Sequence, residues 1–170
     1  MLFVAGLILL VTGWRRLLWT VSGFTAGHSL TLTLASLSRF APPAPPTEAA
    51  IALSILYLAF ELTDAKKEPL KKPWRLAGAF GLLHGFGFAG ALAEAGLPYK
   101  DRLSALVAFN LGVEIGQIAF IAMVLLLAWV CKAAFPPQWH KFVPWRALAS
   151  YGMGMLATFW LFERSSWLWS

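Results

Sequence analysis

Charge is scarce in this chain. Charged side chains make up 13% of its 170 residues and hydrophobic ones 59%, whereas ordinary soluble domains carry about 25% and roughly 45–50%. A composition so poor in charge excludes a soluble globule. Cysteine occurs once, at Cys131, so an intrachain disulfide and a cysteine-based metal cluster are both excluded. Acidic residues are the scarcer sign, 8 against 14 basic ones, leaving a net charge of +6. In a soluble protein that surplus would suggest nucleic acid. Here the basic residues cluster in short connectors between apolar runs, so lipid headgroups and membrane topology account for them and no nucleic-acid partner is expected. No nucleophile elbow, phosphate loop or zinc-protease pairing is present, and no enzymatic activity is expected. Low-complexity tracts and internal repeats are missing too, so residues 1–170 are read as one transmembrane helical domain.

What the chain does have is long apolar runs, and they predict an all-α, polytopic transmembrane bundle of about six helices. A hydrocarbon core of ~30 Å needs about 20 helical residues. The first run, Leu2 to Trp14, falls short of that. It is no secretory signal, because its basic pair, Arg15-Arg16, follows the apolar stretch instead of preceding it. The later spans are expected over Leu17–Leu37, Thr47–Thr63, Trp74–Leu97, Asp101 or Arg102 to Ala134, and Pro144–Phe162. Pro-rich Ala41 to Pro46, Pro73, Pro98 and Pro136-Pro137 punctuate them. Short connectors predict antiparallel packing of successive spans. The connectors after spans one, three and five hold ten of the Lys and Arg residues, against four on the other side. The positive-inside rule then puts the first group in the cytoplasm and both termini outside, in a bacterial inner membrane. Trp74, Trp145, Trp167 and Trp169, near run ends, fit an interfacial aromatic belt.

Ionisable residues at membrane depth are expensive and usually mark a bundle interior or an ion path. His28, His84 and Glu114 each sit near the middle of a separate run, within a turn or two of the bilayer centre. Thr25 and Ser29 extend a polar face beside His28. Gly78, Gly81, Gly85, Gly87 and Gly90 surround His84 and predict close helix packing. Asn110, Glu114 and Gln117 share a face of span five, and Gly112 and Gly116 form a second small-residue pair. Tyr57, Glu61 and Asp64 share a face of span three, either lining an exit for a cation or forming an interfacial network. Imidazole suits nickel, zinc, copper and iron(II), and a carboxylate offsets the charge of a divalent ion. His28, His84 and Glu114 are therefore the candidate ligands of a divalent transition metal, with Asn110, Gln117 and Ser29 in support. The bland alternatives are two histidines hydrogen-bonded across helices, and a protonated Glu114 paired with Asn110 or a histidine. Cys131 reads as a small apolar filler and His140 as a solvated connector residue.

Three strings carry a resemblance: Gly23-Phe24-Thr25-Ala26-Gly27-His28-Ser29-Leu30-Thr31-Leu32, Gly81-Leu82-Leu83-His84-Gly85-Phe86-Gly87-Phe88-Ala89, and Phe109-Asn110-Leu111-Gly112-Val113-Glu114-Ile115-Gly116-Gln117. With Ile51-Ala52-Leu53-Ser54-Ile55 they resemble the HupE/UreJ family of bacterial membrane proteins, in order and spacing, over roughly Leu2 to Leu125. The resemblance implies a nickel or cobalt permease supplying hydrogenase or urease, and it points to His28, His84 and Glu114 with Asn110 and Gln117 beside them. It also implies an earlier half-helix bearing a histidine, four residues, then aspartate and histidine, ahead of the stretch beginning at Leu2. The sequence opens at Met1, after that point. Either the start lies upstream, which keeps the transporter reading, or this is a shortened relative acting as an accessory subunit of a larger membrane complex or homo-oligomer. A third reading makes His28 and His84 axial ligands of a haem.

Overall fold

The computed structural model describes residues 1–38, 42–64, 70–94, 102–134 and 145–166. They form six helices and no strand: α1 (Leu2–Leu10), α2 (Trp14–Ser38), α3 (Ala44–Thr63), α4 (Pro73–Glu94), α5 (Arg102–Ala134) and α6 (Trp145–Ser165). α1 is as short as expected. It stops because Val11 is extended, at φ −100° and ψ 117°, and because Gly13 takes φ 92°, a left-handed value that glycine alone adopts without strain. α2 then starts at once, so Arg15 and Arg16 lie in its first turn and not in a connector. α3 likewise begins earlier than its expected start at Thr47. Pro45 and Pro46 occupy its first turn, where a missing N–H costs nothing, and Thr47 Oγ1 donates to the Pro43 carbonyl at 2.8 Å. α6 runs past Phe162 to Ser165. Arg39, Ala41, Lys66, Lys67, Leu97, Pro98, Lys100, Asp101, Pro136, Pro137, His140, Lys141, Pro144, Trp167 and Trp169 lie outside the described residues.

The expected packing of successive helices holds only in part: α3 meets α4 and α1 meets α2, but these are not the main seams. The most extensive contacts join α2 with α4 and α3 with α6, while α1 lies among α2, α3, α5 and α6. Glycine is the physical reason for the first pairing. A Cβ on Gly27 would strike the Gly78 carbonyl, one on Gly81 the Phe24 carbonyl, and one on Gly85 the His28 carbonyl. These two backbones therefore touch along a parallel register that only hydrogen in place of a side chain permits. α3 and α6 run antiparallel: Ser150 Oγ donates to the Ala59 carbonyl at 2.8 Å near one end, and Arg164 pairs with Glu48 at 3.2 Å near the other. Gly112, by contrast, faces open space, and Gly116 is approached only by the Met1 side chain at 3.8 Å. The small-residue pair of α5 packs against no helix among the described residues.

All these directions agree on two ends. One holds Arg15, Arg16, Lys71, Lys72, Arg75, Lys132 and Arg146; Arg102 and Arg164 lie toward the other. Trp74 and Trp145 are exposed in first turns at the basic end, as a belt requires. Cys131, expected as filler, is exposed on α5 instead. Two described helices, α3 and α5, are long and apolar enough to cross a membrane. α5 presents a ridge of exposed Leu103, Val107, Leu111, Ile115 and Ile118 at helical spacing. In water such a ridge would be costly, whereas hydrocarbon accepts it.

Buried apolar side chains form two clusters. The larger gathers Phe3, Val4 and Leu7 of α1 with Phe24, Leu58, Leu62 and Met153. The smaller joins Leu32, Ala35, Ala89 and Leu106.

Candidate metal-handling site

His28 lies between these two clusters. Its ring stacks toward Phe24 of the larger at a centroid separation of 6.1 Å. On its other sides it meets Phe88 edge-on at 5.1 Å and Phe109, packed with the smaller cluster, at 6.2 Å. The side chain is 1% exposed, and neither Nδ1 nor Nε2 has a hydrogen-bond partner. Leaving a buried polar atom unpaired costs about 1–3 kcal/mol, so a histidine here is a poor choice for packing alone. Hydrogen bonding of His28 across the helices, the bland reading, does not occur.

His84 faces the same aromatic ring from α4. Its imidazole meets Phe24 edge-on at 5.1 Å and Phe3 at 5.2 Å. Nδ1 sits 2.8 Å from the Phe80 carbonyl one turn earlier. A carbonyl can only accept, so Nδ1 carries the proton and Nε2 holds the lone pair. That is how a metal-ligating histidine is usually oriented by its surroundings.

The polar stripe of α5 faces α2, as its spacing predicts. Gln117 Oε1 accepts from Thr25 Oγ1 at 2.9 Å, Asn110 Oδ1 from Ser29 Oγ at 2.7 Å, and Glu114 Oε1 from Ser22 Oγ at 3.3 Å. Glu114 is thus paired with Ser22, a residue the sequence reading did not single out, and not with Asn110. Next to these bonds lies an open cleft of about 290 Å³ between α2 and α5, bordered by Thr25, Ser29, Thr33, Asn110 and Glu114. His28 and His84 share the ring of Phe24 across α2 and α4, whereas Glu114 belongs to the cleft side. Among the described residues, no three side chains of histidine, cysteine, aspartate or glutamate converge to hold a metal ion. The two imidazoles meet a common ring, that of Phe24, and the carboxylate stands apart from them.

On α3, Glu61 is buried and Asp64 follows the last turn. The Tyr57 ring lies 5.8 Å from Phe80, the residue whose carbonyl orients His84. Sequence reasoning missed the aromatic cage of Phe24, Phe88 and Phe109. Phe24 could have been found, since it precedes His28 by one turn; Phe109 reaches His28 only through tertiary packing. It also missed Thr31, whose Oγ1 donates to the Leu82 carbonyl at 2.7 Å and ties α2 to α4 next to both histidines.

The family model described as HupE / UreJ protein matches residues 1–164. No curated protein and no solved structure matches the chain.

Proposed function

The chain belongs to the HupE/UreJ family, and from that premise we propose that it is a multi-pass bacterial inner-membrane protein that moves a divalent transition-metal ion, of the nickel or cobalt kind, as its cargo. The observation that carries this reading is the unpartnered His28 imidazole, which shares the Phe24 ring with a His84 whose Nε2 lone pair is set by the Phe80 carbonyl. Imidazoles suit such an ion, and binding would give one of the two unpaired His28 nitrogens a partner. Incomplete ligation is an advantage in a carrier, which must release what it binds. Glu114, Asn110 and Ser29 supply oxygen atoms in the adjoining cleft, where a partly hydrated cation could be held before it reaches the histidines.

Helix directions support a chain that crosses at each of its five longer helices: α2 and α4 run parallel, and each is antiparallel to its partner among α3, α5 and α6. With the basic end in the cytoplasm, α6 ends on the outer side, whereas the nine-residue α1 reaches only part-way and leaves Met1 against Gly116 of α5, so the expected outer position of the N-terminus is not supported. The haem alternative is disfavoured by the contact of the α2 and α4 backbones at Gly81 and Gly85, which leaves no porphyrin-wide gap between His28 and His84.

Uptake of radiolabelled nickel by cells expressing the chain tests the proposal. His28→Ala and Glu114→Ala should each abolish metal-dependent uptake while the protein still inserts. Normal uptake by both variants refutes a carrier. Absence of uptake by the parent chain, together with its recovery in a larger assembly on a native gel, would instead establish the accessory-subunit reading.

A further inference from the structure

At the basic end, the first turns of α2 and α4 enclose an open groove of about 720 Å³. Arg16 and Lys71 stand at its mouth, Trp19 and Trp74 flank it, and Gly23 and Ala26 line its deeper part. We propose that this groove binds an anionic phospholipid, with the headgroup phosphate between Arg16 and Lys71 and an acyl chain laid along Gly23 and Ala26.

Charge is the first argument. Arg16 does not wave free: its Nη2 donates to the Leu70 carbonyl at 3.0 Å and the Lys71 carbonyl at 3.4 Å. Those contacts fix the guanidinium beside the Lys71 backbone, and both come from one nitrogen of a group that offers five N–H donors. α2 and α4 are parallel, so their positive helix ends add at the mouth. Among the described residues, Glu114 approaches the groove through Ser22, whose Oγ donates to it at 3.3 Å, about 9 Å deeper than Arg16 at ~1.5 Å of rise per residue. Among the described residues, the groove's charged lining is Arg16 and Lys71, both cationic, and Glu114 lies deeper.

Shape and placement favour a lipid over a free anion. Trp19 and Trp74 are 75% and 48% exposed, and indole rings prefer the depth of the headgroups. Beyond them Gly23 lets the Trp74 backbone of α4 close against α2, and the exposed Ala26 presents only a methyl, so a chain can lie along the seam of the two helices. A soluble phosphate would use the mouth and leave this apolar extension empty.

Native mass spectrometry of detergent-purified protein, offered equal phosphatidylglycerol and phosphatidylcholine, tests the assignment. Phosphatidylglycerol should be retained preferentially. Each basic residue near a membrane surface contributes about 1 kcal/mol toward anionic lipid, which is about fivefold in affinity. Lys71→Gln should therefore lower retention about fivefold, whereas Lys132→Gln, at the same end but outside the groove, should not. Ala26→Leu, which obstructs the floor while leaving every charge in place, should lower retention as well. Equal retention of phosphatidylcholine, equal losses from Lys71→Gln and Lys132→Gln, or an Ala26→Leu variant that binds normally would each overturn the proposal. So would inorganic phosphate raising the thermal midpoint as much as phosphatidylglycerol does, since that would identify a free-anion site.

Discussion

Thr25 donates its hydroxyl proton to Gln117 Oε1 at 2.9 Å, and this buried bond joins α2 to α5 at the level where the polar stripe of α5 begins to face the bundle. α5 has few other ties, because most of its remaining surface is exposed.

The first prediction concerns that bond. Thr25→Val strands Gln117 Oε1, Gln117→Leu leaves the Thr25 hydroxyl to the Val21 carbonyl at 3.2 Å, and the double variant strands neither. Interhelical hydrogen bonds in membranes couple by about 0.6 kcal/mol on average and up to about 1.7. A double-mutant cycle in a detergent unfolding titration should return a coupling in that range. Strict additivity would mean the bond does not hold α5 in place.

His28 offers a sharper discrimination. If its unpaired nitrogens are kept for a cargo ion, His28→Leu should raise stability by roughly 1–3 kcal/mol, because it removes buried polar atoms without a partner. The same variant should lose nickel retention. A structural histidine would behave in the opposite way on the first count, so a destabilised His28→Leu protein would point to a packing role.

Glycines separate cleanly by position. Gly81→Leu places atoms where the Phe24 carbonyl and the His28 backbone already are, and it should cost at least the ~1–3 kcal/mol of an overpacked core. Gly112 has open space around it, so Gly112→Ala should be neutral or stabilising by up to about 1 kcal/mol. Thermal midpoints of the two purified variants decide the matter. Equal damage from both would show that Gly112 packs against something, such as a second copy of the chain.

At the end opposite the basic residues, Glu48 and Arg164 are 3.2 Å apart with 41% and 48% of their side chains exposed. An exposed pair of this kind is worth about 0–1 kcal/mol. Glu48→Gln should therefore shift the unfolding midpoint little, while Ser150→Ala, which removes a buried donor to the Ala59 carbonyl, should cost about 1 kcal/mol. A reversed ranking would show that α3 and α6 are held mainly by charge.

By itself the sequence determined the class and the inventory. Scarce charge and apolar runs required helices with lipid-tolerant faces, the glycines around His84 required a close neighbour, and the period of Asn110, Glu114 and Gln117 required one polar face. Those are local properties, because composition and helical spacing are carried by residues near one another along the chain. Which helices meet is not local. Only the tertiary structure decided that α2 lies parallel to α4, that α3 takes α6, and that Glu114 turns to Ser22 while His28 and His84 share the ring of Phe24. Pairing depends on how the surfaces of distant segments fit, glycine against carbonyl and hydroxyl against amide, and no periodicity within one helix records the shape of the helix it will touch.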